Sequence, residues 1–122
     1  MSSYRLPIDI PLAIMSEPAI LPDLDAIRSA ASAATAVLSA LASENRLLLL
    51  CQISRGECSV GELEAALDLH QPTLSQQLSV LRAENLVTTR REGKRIFYSI
   101  ADPRVLALLD TLYEQFCPRK EV

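Results

Sequence analysis

Among the residues able to do chemistry, the thiols come first. The stretch LLLLCQISRGECSVGEL, Leu47 to Leu63, puts Cys51 inside a run of leucines and Cys58 in a polar turn, and Cys117 lies just before Pro118 near the C-terminus. Thiols at such positions act as packing groups, soft-metal ligands or redox groups. Three cysteines are an odd count, and with no signal peptide expected this suits a reducing cytoplasm rather than a disulfide framework. Cys51 follows Leu47 by four residues and shares a mostly apolar helical face, where it reads as a small buried hydrophobe. Cys58 reads as a solvent-facing turn residue. An enzymatic use of Cys51 as a nucleophile would need a partner base, and the single histidine, His70, sits in a different turn. A non-enzyme without a cofactor is therefore expected, with a thiol peroxidase or sulfur transferase as the alternative of a different class.

The elements that must hold these residues are mainly helical. Hydrophobic residues make up 49% of the 122 and aromatics 4%, with no tryptophan, a profile of Leu, Ala, Val and Ile packing between helices. A first helix is expected from Asp23 through an alanine-rich, helically periodic stretch ending near Leu41. Ser43 is placed to cap a second helix, ENRLLLLCQIS, closed by Gly56, and Ser59 to cap a third, VGELEAALDL. A fourth, in HQPTLSQQLSVLRAEN, tolerates Pro72 in its first turn and buries Leu74, Leu78 and Leu81. LVTTRREGKRIFYSI reads as a β-hairpin turning at Glu92-Gly93-Lys94. Asp102-Pro103 opens a last helix that runs through VLALLDTLYEQFC to Pro118, with Cys117 on the stripe of Leu109 and Tyr113. Residues 1–22, with four prolines between Pro7 and Pro22, read as an N-terminal arm rather than a signal or membrane segment, residues 23–118 as the domain and 119–122 as a tail.

Charge is unevenly spread. The formal net charge is −3, yet residues 70–95 carry five Lys/Arg against two Asp/Glu, while residues 1–69 carry four against nine. That basic block coincides with the fourth helix and the hairpin. With the leucines inward, Gln71, Thr73, Ser75, Gln76 and Ser79 lie at the N-terminal end, on the sides or on the outer face of that helix. Glutamine amides pair with adenine edges, and hydroxyls serve several bases, so these are suitable base readers in a major groove. Arg90, Arg91, Lys94 and Arg95 on the hairpin would meet backbone phosphates and supply salt-dependent affinity. The fold class is therefore mainly α with a β-hairpin wing, a winged helix-turn-helix whose partner is double-stranded DNA.

Across about residues 35–117 the chain resembles the ArsR family of small winged-helix repressors. The carriers are LSALASENRLLLLCQI and SVGELEAALDLHQPTLSQQLSVLRAENLVTTRREGKRIFYSI. The resemblance implies a homodimer, built largely through the first and last helices, that binds a palindromic operator and represses transcription. It departs at His70, where the family more often has a serine before Gln-Pro, and histidine is the poorer cap.

The family's metal-binding members carry thiols where this chain has Ser59 and Gly61, with Cys58 one residue off. A last-helix zinc site would begin at Asp102, but its other positions read Arg104, Gln115 and Pro118. Zinc takes about four N, S or O donors, so no metal site is expected. LLCQI together with YEQFCP resembles the BigR-type branch of the family, which senses persulfides and other reactive sulfur. That resemblance carries the sensing role onto Cys51 and Cys117 and implies a di- or polysulfide switch. A soft-metal or general-oxidant sensor is the alternative within the family.

Overall fold

The computed structural model describes residues 23–118, so the expected arm at 1–22 and the tail at 119–122 lie outside the described residues. Contacts divide the chain into two units, 1–32 and 33–122. The described part of the first unit opens helix α1, Leu24–Leu41. Asp23 starts it by accepting the Ala26 N–H on its carboxylate at 2.7 Å.

In the second unit α1 ends and is followed by α2 (Glu44–Ser54), β1 (Cys58–Ser59), α3 (Val60–Leu67), α4 (Gln71–Ala83), β2 (Val87–Glu92), β3 (Arg95–Ile100) and α5 (Pro103–Phe116). The caps fall where the sequence places them. Ser43 Oγ accepts from Arg46 N–H, Ser59 and Glu62 form a reciprocal capping box, and Asp102 accepts from Arg104 N–H. His70 occupies the N-cap of α4 with extended backbone but caps nothing with its side chain. Asp68 and Asn85 adopt left-handed φ of 54° and 60° and stop α3 and α4. Gly93, at φ 64°, makes the tight wing turn.

The helices enclose a leucine core. Leu49, Leu50 and Ile53 of α2, Leu63 of α3, and Leu74, Leu78 and Leu81 of α4 pack with Leu86, Val87, Tyr98, Val105 and Leu109. The spacing of Leu74, Leu78 and Leu81 turns the opposite side of α4 outward. The three-stranded antiparallel sheet has the order β1-β3-β2, with Cys58 opposite Tyr98 and Thr89 opposite Tyr98 on the other side.

Three expectations change. The strand β1 does not follow from local pattern, because two residues are held extended only by their pairing with β3. Cys58 consequently is not a solvent-facing turn residue: it is half-buried against the core, and its thiol lies 3.3 Å from the Gly56 carbonyl oxygen and 3.8 Å from that of Gln52. Helix α5 closes at Phe116, and Cys117 follows it with extended backbone, its N–H donating to the Tyr113 carbonyl.

Candidate functional site

The polar side of α4 is assembled as the spacing requires. Gln71, Ser75, Gln76 and Ser79 are exposed and Thr73 is half-buried. Together with α3 and the turn Asp68–His70, this forms the helix-turn-helix, and β2–β3 forms its wing. A cleft of about 560 Å³ opens between the first turn of α3 and the wing turn, with Gln71, Lys94 and Arg95 on its walls.

The wing's basic residues are not equivalent. Arg90 Nε donates to Glu57 Oε2 at 2.8 Å and its Nη1 to Glu92 Oε2 at 3.2 Å. The hydrogen bond from Arg90 holds the Glu57 carboxyl below its usual range, and the two carboxylates push the Arg90 guanidinium up. Arg95 Nη2 donates to Ser59 Oγ at 3.2 Å. Arg91 and Lys94 are exposed at the wing tip.

On α4's inner flank Gln77 accepts a hydrogen bond from Arg46 Nη1 at 2.9 Å, while Arg46 Nε donates to the Ala40 carbonyl at 2.8 Å. One guanidinium thus joins the end of α1, the start of α2 and helix α4. Sequence reasoning missed Arg46, Gln77 and Glu57, which are joined to partners 31 and 33 residues away, and Phe97, whose covering arginines are near in sequence but meet its ring only once the strands pair.

The thiols divide as well. Cys51 and Cys117 line one apolar groove of about 290 Å³ with Leu47, Leu109, Leu112, Tyr113 and Phe116. Both cysteines are exposed at its edge, so Cys51 is not the buried packing residue that the leucine spacing alone suggests. Partial enclosure still pushes the Cys51 thiol up, the nearby Cys117 adds to that, and Arg55 opposes it. Burial, followed by the charge of Glu62, also raises Cys58, which the groove does not include. Among the described residues no three His, Cys, Asp or Glu side chains come together as a metal ligand set.

The pattern described as bacterial regulatory protein, arsR family, matches residues 43–89, from the cap of α2 through the helix-turn-helix into the wing. The biofilm growth-associated repressor of Agrobacterium fabrum is 46% identical over 115 residues, 94% of this chain and 94% of that protein. This chain belongs to the ArsR family. The crystal structure of the transcriptional repressor BigR from Xylella fastidiosa matches this ArsR-family chain with a TM-score of 0.74 and 40% identity, over 80% of this chain and 100% of the other. HlyU of Vibrio cholerae, named a transcriptional activator, is 42% identical over 84 residues, covering 69% and 78% of the two chains. Its reduced form superposes with a TM-score of 0.74 and 38% identity over 78% of this chain and 100% of that one. These relatives are regulators, and the chain is a regulator rather than an enzyme.

Proposed function

We propose that this ArsR-family protein is a DNA-binding transcriptional repressor, acting as a homodimer in the cytoplasm, that reactive sulfur releases from its operator through Cys51 and Cys117. The observation that carries the reading is the groove in which α2 and the end of α5 present two thiols to one apolar space. The exposed polar face of α4 supplies base-reading groups. Leu38 on α1 and Leu106, Tyr113 and Phe116 on α5 are 51%, 40%, 59% and 79% exposed, apolar surface that favours covering by a second copy. Helix α1 also has the length and apolar composition of a membrane span, but the DNA-directed family and the packing of Val37, Ala40 and Leu41 into the core favour a role in the folded domain.

The chemistry balances without a further oxidant. A Cys51 thiolate attacks the terminal sulfur of a persulfide R–S–SH, giving Cys51–S–SH and releasing RS⁻. The Cys117 thiolate then displaces HS⁻ to close a disulfide. If Cys117 has also been persulfidated, the Cys51 persulfide anion displaces HS⁻ from it and leaves a trisulfide. A plain disulfide requires Cα atoms about 4.4–6.8 Å apart, and each additional sulfur relaxes that requirement.

Peptide mass spectrometry tests this on reduced protein treated anaerobically with a persulfide donor, beside a peroxide-treated sample. A Cys51–Cys117 cross-link carrying additional sulfur, formed only with the donor, is expected. Two unmodified thiols would refute the sulfur switch and leave the DNA-binding regulator standing. The activator name of HlyU makes the sign of regulation a separate question, which transcription from an operator-bearing template decides.

A further inference from the structure

The sheet register sorts the four basic residues of the wing into two pairs. Ser59 lies opposite Phe97, Phe97 opposite Arg90, and Arg95 opposite Glu92. Side chains alternate along strands, so Ser59, Phe97, Arg90 and Arg95 share one face while Cys58, Tyr98 and Arg91 share the other. Tyr98 and Val87 lie in the core, with Cys58, Ile96 and Ile100 packed against it, which makes theirs the inner face. Phe97 therefore points away from the core and is no member of it, yet it is only 9% exposed.

Two guanidinium groups cover it. The Arg90 and Arg95 Cζ atoms lie 4.6 Å and 4.9 Å from the centroid of the Phe97 ring, within cation–π range. Each is also anchored. Arg90 is held by Glu57 and Glu92, and Arg95 by Ser59, the buried N-cap of α3. Glu57 additionally accepts from Ser99 Oγ at 3.4 Å, which fixes its carboxylate from a second strand. Arg91 and Lys94, by contrast, have no ion pair, side-chain hydrogen bond or ring contact among the described residues, and both are exposed.

We propose that Arg90 and Arg95 are positioning residues, which lock the wing to the helix-turn-helix through Phe97, Glu57 and Ser59, and that Arg91 and Lys94 are the wing's phosphate contacts. This inference rests on the DNA-binding reading above. To reach a phosphate, Arg90 must give up a 2.8 Å ion pair and uncover an aromatic ring. Arg91 and Lys94 need only exchange water and counterions. The planar fork of arginine suits the first task, because it stacks on a ring and bridges two carboxylates together, which a lysine ammonium does not. A point charge suffices for the second.

The experiment pairs DNA affinity against salt, on a mixed-sequence duplex, with amide hydrogen exchange of the DNA-free protein. Arg91→Gln and Lys94→Gln each remove one phosphate contact per protomer, two per bound dimer, and should each flatten the slope of log K against log salt by about 1.8, so that affinity falls roughly 12-fold less between 50 and 200 mM salt. Neither should alter exchange in β2 or β3. Arg90→Lys and Arg95→Lys keep the charge, and should nevertheless weaken binding at unchanged slope and speed wing exchange about fivefold, the factor equivalent to ~1 kcal/mol. Wild-type binding and exchange in the two lysine variants would overturn the positioning role. Intact slopes in Arg91→Gln and Lys94→Gln would overturn the phosphate role. A wild-type protein that binds no duplex even at low salt would fail the DNA-binding reading itself, and the exchange measurements would still decide which residues hold the wing.

Discussion

Replacing Arg46 by methionine removes a guanidinium whose hydrogen bonds join α1, α2 and α4 beside their shared apolar core, and the structure allows its cost to be worked out. The guanidinium makes two part-buried hydrogen bonds, to Ala40 O at 2.8 Å and Gln77 Oε1 at 2.9 Å, and an exposed one to Ser39 O at 3.3 Å. Methionine keeps the apolar stem, so packing changes little. A hydrogen bond to a charged group contributes about 1.5–3 kcal/mol when part-buried. The Ser39 bond is discounted because water replaces it, and the Gln77 amide recovers some solvation. The expected loss is about 2–4 kcal/mol, which for a domain of this size lowers Tm by roughly 10–25 °C. Urea unfolding under reductant, at one fixed protein concentration, is the suitable assay because association would otherwise shift the midpoint. The midpoint should fall with m unchanged. Arg46→Lys should recover less than half of the loss, since one ammonium does not reproduce the fork reaching both carbonyl and amide. Stability of Arg46→Met within about 0.5 kcal/mol of wild type, the range of an ordinary surface change, would refute the clamp.

His70→Ser should stabilise the protein by about 1 kcal/mol, because the N-cap backbone is already extended and its side chain caps nothing; a denaturation midpoint at or below wild type would contradict this. Cys51→Ser and Cys117→Ser should each bind DNA like wild type and fail to release it on persulfide treatment, whereas Cys58→Ala should still release; DNA-binding assays before and after treatment distinguish them. The raised Cys51 thiol makes its alkylation by iodoacetamide still climb with pH above the ordinary thiol value of about 8.5, since the thiolate is the reacting form. Arg55→Gln should slow that reaction at pH 8 and Cys117→Ser should speed it, and a rate that levels off below pH 8 would show that Cys51 is not shifted upward.

Much of the architecture is legible in the chain because its signals are local. Ser43, Ser59 with Glu62, Pro72, and Asp102 with Pro103 each mark a helix start within four residues of what they cap. Leu74, Leu78 and Leu81 give the inner side of α4 from their spacing, and the exposed Gln71, Ser75, Gln76 and Ser79 follow from it. What escapes is what depends on distant partners. Cys58 looks like a turn residue until β3 pairs with it. Cys51 looks like core because its leucine neighbours are, yet Leu49, Leu50 and Ile53 take the core side of α2 and leave Cys51 on the groove. Arg90 and Arg95 look like free cations, and only the strand register brings Phe97 beneath them.

On the proposed reading, helix α2 is the element that links the thiol groove to α4 and the wing. Its first turn carries Arg46, bonded to Gln77 of α4; one side carries Cys51; and the loop that leaves it carries Glu57, bonded to Arg90 of the wing. Between these points Leu49, Leu50 and Ile53 fix it in a close-packed core, so it transmits displacement rather than absorbing it. On the sulfur-switch reading, a covalent bridge from Cys51 to Cys117 pulls on α2 from the groove side, and the reading helix and the wing, both fastened to it, must follow or break a charged hydrogen bond. Allosteric coupling of about 1–3 kcal/mol, or 5–150-fold in affinity, is of the same size as one such bond. Serine at Cys51 or Cys117 leaves Arg46 and Glu57 in place, which is why these variants should lose release and keep affinity.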